Sequence, residues 1–337
     1  MMELSELWFL LVAVLFVGFF FLEGFDFGVG MAGRLIGQND FERRIMINTI
    51  GPFWDANEVW LLTAGGAMFA AFPHWYATMF SGYYIPFVFI LLALIVRGVS
   101  FEFRGKVDSK KWTNTWDLAI LVGSIVPPFL FGVAFTSLLK GMPIDETMTL
   151  HAGFTDYVNP YSVTGGIVVT LLCLMHGLVF LTLRTVGDLQ VRARKMAQKV
   201  VFPVLISLVA FVALSYKYTD LFTYRGNVTI PMIALIVVCY VATIIMLKKK
   251  RDGWSFFFSG MGIVLTISTI FVALFPRVMI SSISSAYDLT VYNAASGAYS
   301  LKVMTIVSLT LLPFVLGYQI WNYYVFRKRV DGKDMVY

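Results

Sequence analysis

Apolar stretches long enough to cross a bilayer core of about 30 Å recur from one end of this chain to the other, and that repetition constrains the fold more than any other feature. Nine such stretches, bounded by charges and turn residues, begin near Leu7, Pro52, Thr78, Trp116, Tyr161, Lys199, Val228, Phe256 and Leu301. Length alone, 337 residues, would suggest two soluble domains. The spans leave no room for one. With 58% hydrophobic and only 14% charged residues, the chain lies far from the roughly one quarter charged of a soluble domain. Residues 1–337 therefore read as a single transmembrane domain, an all-α polytopic protein. The N-terminus is acidic, at Glu3 and Glu6, and no small-residue cleavage site follows, so the first apolar run is expected to stay as a helix.

The cations give the expected orientation. One set of connections receives Arg34, Arg43 and Arg44, then five cations between Arg97 and Lys111, five between Arg184 and Lys199, the run Lys248 to Arg251, and finally Arg327, Lys328, Arg329 and Lys333. The other set keeps Lys140, Lys217, Arg225, Arg277 and Lys302. Cytoplasmic connections retain Lys and Arg, which predicts an outer N-terminus and a cytoplasmic C-terminus. The net charge of +6 is then explained by topology and attraction to anionic lipid, and no nucleic-acid partner is needed. Two connections on the cation-poor side, Gly141 to Asn159 and Val278 to Ser300, are long and polar, as solvated loops are.

Acids inside the spans carry the functional signal, because a charged side chain deep in a membrane helix costs a few kcal/mol or more and is usually functional. Glu23 and Asp26 lie three apart in Glu23-Gly24-Phe25-Asp26-Phe27-Gly28-Val29-Gly30, on one helical face. Asp55 and Glu58 repeat that spacing in the second span. Counting eleven residues from Arg34 to Glu23 and from Arg44 to Asp55, at 1.5 Å each, places both pairs about 16 Å from the cytoplasmic face. The short basic connection makes the two spans antiparallel neighbours, so four carboxyls are expected to cluster in one polar core. Acids gathered in low dielectric cannot all stay ionised, so such a core can hold protons and pass them on, and a route from the cytoplasm fits. The structural alternative is that the acids pair with Arg34, Arg97 or a second subunit and only hold helices together. Glu58 in particular is open to a purely structural reading.

Other candidates carry less. Gly24, Gly28, Gly30, Gly65 and Gly66 follow no strand and precede no lysine in register, which argues for close helix packing rather than a phosphate loop. Cys173 and Cys239 fall within apolar segments and make no metal-site spacing. Histidine is scarce: His74 and His151 fall at or beyond outer span ends, and His176 reads as a hydrogen-bonded core residue rather than an axial haem ligand.

The longer motifs resemble subunit II of the cytochrome bd quinol oxidases. The likeness is carried by Glu23 to Gly30, by Ile50-Gly51-Pro52-Phe53-Trp54-Asp55-Ala56-Asn57-Glu58-Val59-Trp60-Leu61 and by Thr63-Ala64-Gly65-Gly66-Ala67. It continues through Phe69 to Pro73, Tyr76, Ser81-Gly82-Tyr83, Arg97, Phe101-Glu102-Phe103-Arg104, Phe275-Pro276 and Val303-Met304-Thr305, and so spans nearly the whole chain. The resemblance implies a nine-helix subunit of a bacterial or archaeal cytoplasmic membrane, partnered by a subunit I of homologous fold that carries haem b, haem d and the quinol site. The complex would oxidise a membrane quinol and reduce dioxygen to water, drawing the protons from the cytoplasm. By the same resemblance Asp55 stands on a proton pathway, as does Asp26, while Glu23 and Glu58 rest on the depth argument. The quinone used, any small single-helix subunits and any bound quinone or lipid stay open. Two rivals stand beside this reading: a cation-coupled secondary transporter, which also uses intramembrane acids, and a pure assembly scaffold.

Overall fold

Residues 3–332 are described by the structure, a computed structural model, and Lys333 of the cation count lies outside them. The first half comprises α1 (Leu4–Ile36), α2 (Asp40–Ile50), α3 (Trp54–Ala71), α4 (Pro73–Gly82), α5 (Tyr84–Phe103), α6 (Lys110–Lys140) and α7 (Phe154–Tyr157). The second half comprises α8 (Pro160–Arg184), α9 (Gly187–Tyr218), α10 (Leu221–Tyr224), α11 (Gly226–Lys248), α12 (Asp252–Leu274) and α13 (Ala298–Val325). A short antiparallel pair, β1 (Arg277–Met279) and β2 (Leu289–Thr290), organises the loop before α13. The fold is all-α, as the apolar runs predict.

Eight of these helices, α1, α5, α6, α8, α9, α11, α12 and α13, are long and apolar enough to span on composition alone. The ninth predicted span is α3, whose acids dilute its apolar character. Its path follows from its hydrogen bonds: Asn322 Nδ2 donates to Pro52 O at 3.0 Å, Trp60 Nε1 to Gln319 Oε1 at 3.0 Å, and Ser296 Oγ to Ala70 O at 2.7 Å. Helix α3 thus runs antiparallel to α13 from end to end.

Three boundaries differ from the sequence reading. The third span starts at Tyr84 rather than near Thr78, because Phe72 breaks the helix and Pro73, with no N–H to lose at a first position, opens the separate helix α4. Helices α6 and α9 begin at Lys110 and Gly187, ahead of the expected starts at Trp116 and Lys199, because a helix continues past its apolar section wherever its polar turns remain solvated.

Helices α1 and α8 form the centre, and glycine lets them touch. A Cβ on Gly28 would lie 2.1 Å from the Cys173 carbonyl oxygen and 2.6 Å from Gly177 Cα, so no side chain fits there. Gly28→Leu is expected to push α1 from α8 and abolish recovery of folded protein. Gly33→Ala, which meets nothing within 4 Å, should leave recovery and the thermal midpoint unchanged. Detergent-solubilised yield and thermal unfolding check both.

The five cation-rich connections meet at one end of the bundle, where acids tie them together. Arg192 pairs with Glu42 at 2.5 Å, Arg194 with Asp252 at 2.8 Å, and Arg329 reaches the same Asp252 at 3.4 Å. Asp117 takes Arg43 at 2.9 Å and Arg104 at 2.6 Å. The two long polar loops close the opposite end, joined where Met142 N donates to Ile280 O at 2.9 Å and Ser282 N to Met142 O at 2.8 Å.

Candidate functional site: a buried acid cluster around Arg97

Glu23 and Asp26, one turn apart on α1, are both fully buried. Helix α5 brings Arg97 against them, also with no exposure. Arg97 Nη1 donates to Glu23 Oε1 and, at 3.4 Å, lies against Glu58 Oε1 of α3. The guanidinium stands over the Phe27 ring at 4.8 Å and the Phe101 ring at 5.3 Å, so aromatic faces supply part of its solvation. Asn57, the neighbour of Glu58, donates from Nδ2 to Asp26 Oδ2 at 2.7 Å, and its own Oδ1 accepts from Tyr323 OH of α13 at 2.7 Å. Four helices thereby meet at one polar core inside an otherwise apolar bundle.

Three of the four predicted acids converge there. The fourth, Asp55, does not. The chain between Arg44 and Asp55 is not one helix, because α2 ends at Ile50 and residues 51–53 form a turn before α3 starts. Counting eleven residues at helical rise therefore misplaces Asp55, which sits exposed in the first turn of α3, while Glu58, one turn further in, reaches Arg97. Asp55 still faces Glu58 electrostatically.

One guanidinium cannot neutralise three carboxylates. In a dry interior the excess negative charge is relieved by protons held on the acids, and Glu23 Oε2 and Asp26 Oδ1, which have no hydrogen-bond partner among the described residues, are free to take them. The arrangement can store a proton and exchange it between neighbouring acids. Asn57 and Tyr323 were not singled out by sequence reasoning. Asn57 lies inside the motif from Ile50 to Leu61, but nothing in the sequence pairs Tyr323, 266 residues away, with it.

Beside this core lies an apolar groove of about 660 Å³ between α1, α3, α8, α12 and α13, walled in part by Phe21, Phe25, Trp60 and Phe256. Arg184, Arg327 and Tyr323 also line it, and Tyr323 places its hydroxyl in the acid cluster's hydrogen-bond chain. No histidine is on its wall. His176 lies behind it, its Nδ1 2.8 Å from Ser259 Oγ and its ring stacked on Phe256 at 4.7 Å between centroids. His151 bonds Asp145 at 2.7 Å in the polar loop, where hydrogen bonds from Thr147, His151 and Thr149 hold the Asp145 carboxyl below the usual carboxylate range. Neither His176 nor His151 faces the groove, so these two histidines offer no facing axial donors across it.

The fold and the site define a polytopic, all-α membrane protein with an acid core inside its helix bundle. The profile of the cytochrome bd terminal oxidase subunit II family matches residues 4–326, and the chain belongs to that family. It is 65% identical over 334 residues to cytochrome bd ubiquinol oxidase subunit 2 of Bacillus subtilis strain 168, with 99% of each chain covered. It is 37% identical over 369 residues to cytochrome bd-I ubiquinol oxidase subunit 2 of Escherichia coli K12, covering 98% of this chain and 96% of that one. In fold it is similar to a chain of the bd oxidase from Geobacillus thermodenitrificans, with a TM-score of 0.75 at 19% identity, covering 97% of this chain and all of that one. The protein is thus subunit II of a bd-type terminal oxidase, a multi-pass oxidoreductase subunit of the respiratory membrane that works in complex with subunit I. Haem belongs to that complex.

Proposed function

We propose that this chain delivers cytoplasmic protons to subunit I, which holds haem b, haem d and the quinol site. The complex then oxidises a membrane quinol, reduces dioxygen to water and builds a proton gradient from the protons it draws. The observation that carries the reading is the set of three carboxyls around one buried guanidinium, two of them fully buried and the third, Glu58, half-buried, more acid than the arginine can balance. The cation-rich end is the cytoplasmic one by the positive-inside rule, which puts the N-terminus outside. Asp55, exposed, and Glu58, its side chain 19% exposed, lie on the face of α3 that subunit I covers, since a charge at membrane level needs a protein cover. The groove takes the apolar tail of a membrane lipid or quinone, and small single-helix subunits pack on the outer helices.

The rival reading is a scaffold that only holds subunit I in place. Asp55→Asn separates the two. Proton delivery predicts unchanged assembly and haem content with quinol-driven oxygen uptake lowered several-fold, as expected when an acid is removed from a proton-transfer chain. Parallel loss of haem and uptake would favour the scaffold. A colourless purified complex would return the transporter reading.

A further inference from the structure

Five buried side-chain atoms around the acid cluster have no hydrogen-bond partner among the described residues: Glu23 Oε2, Asp26 Oδ1, Arg97 Nε, Arg97 Nη2 and Ser124 Oγ. Their residues are all fully buried. Unmet polar atoms at this density are not tolerated in a dry interior, and water is the usual partner. They occupy one seam. Gly123 and Ser124 of α6 lie between α5 and α1: a Cβ on Gly123 would come within 2.6 Å of Arg97 Cβ, and one on Gly30 within 2.0 Å of Ser124 Oγ. Gly30 is one turn along α1 from Asp26.

The seam continues toward the cation-rich end. Ile120 and Asp117 share the buried stripe of α6 with Ser124, and the seven residues from Asp117 to Ser124 span about 10 Å of helix. A cavity of about 20 Å³, room for one water, is lined there by Gly30, Ile120, Phe101 and Asp117. Beyond it a polar cavity of about 470 Å³, also touching Phe101 and lined by Asp40 and Arg104, opens to solvent. Arg43 and Arg104 fix Asp117 at the mouth.

We infer that a chain of internal waters links the acid cluster to the cation-rich end through the seam between α1 and α6, with Ser124 as its relay hydroxyl. The hydroxyl accepts a proton from the water on one side while giving its own to the acceptor on the other, so the relay gains and loses nothing. Asp55 then lies on the opposite side of the cluster, against subunit I, and serves exit rather than entry. This inference rests on the proton-delivery reading above.

The test uses the purified complex. Oxygen uptake should fall in the order Ser124→Gly, Ser124→Ala, Ser124→Val, because glycine leaves room for a further water, alanine removes the hydroxyl in the same space, and valine fills the seam. The valine form is expected at least tenfold below the unaltered enzyme, and the alanine form about threefold below it with a larger solvent deuterium isotope effect, both with unchanged haem spectra. If valine prevents assembly, alanine decides: unaltered uptake and isotope effect in Ser124→Ala overturn the route. Loss of haem in step with uptake across the series assigns Ser124 to packing and overturns it too. Asp26→Asn keeps the two levels apart: if it is slow while Ser124→Ala is normal, only the route fails, and if it turns over normally the delivery reading fails with it.

Discussion

Asp26→Asn is expected to lower quinol-driven oxygen uptake of the assembled complex by about a hundredfold, while the haem spectrum and the amount of complex recovered stay as they are. Asparagine has the shape of aspartate, and its oxygen can still accept from Asn57 Nδ2, so the bond that joins α1 to α3 survives. What it cannot do is take up and release a proton. Because Asp26 is fully buried, solvent does not reach the position to stand in for the lost carboxyl. Uptake measured at saturating quinol, with haem quantified in the same sample, reads the effect. Normal uptake with full haem would remove the acid cluster from the proton route.

Arg97→Met is expected to act on folding instead. The guanidinium is the cation that Glu23 and Glu58 share, and removing one partner of a buried ion pair costs about 3–5 kcal/mol because the other is left charged in low dielectric. Most membrane domains have too little stability to absorb that, so recovery of the haem-bearing complex should drop severely. The decisive comparison is the double variant Arg97→Met with Glu23→Gln, which removes the stranded charge while keeping the shape of the side chain. Recovery should rise well above that of the single variant, even though the double variant turns over slowly. Should Arg97→Met assemble with an unaltered thermal midpoint, the ion pair contributes nothing to stability and the cluster is held by packing alone.

These two outcomes separate what was legible in the sequence from what was not. Glu23, Asp26, Asp55 and Glu58 all stand out in the sequence because carboxyls in apolar helices are costly and conspicuous. Arg97 is equally visible as a cation inside an apolar run, and the sequence offered it as one partner among several. Its selection over Arg34 needs the packing of α5 on α1, and Arg34 instead donates to Asn114 O at 2.8 Å near the cation-rich end. Asp55 looked equivalent to Glu58 until the turn at residues 51–53 offset the helix, since three non-helical residues change both depth and facing. Tyr323 and Ser124 carry no signal of their own: a tyrosine near a span end and a serine in an apolar helix are ordinary, and only their neighbours give them a role.

The sequence by itself determined that the chain is an all-α membrane protein, that its cations gather on one side, and that acids lie within its first two spans. Those properties follow from local physics, the length of apolar runs and the cost of charge in lipid, which need no knowledge of neighbours. Only the tertiary structure decided which carboxyls share Arg97, which one faces outward, and which buried atoms lack partners. Each of these depends on how helices far apart in the chain pack side by side, at positions fixed by glycine contacts such as Gly28 against Gly177, and no periodicity within a single segment encodes that placement.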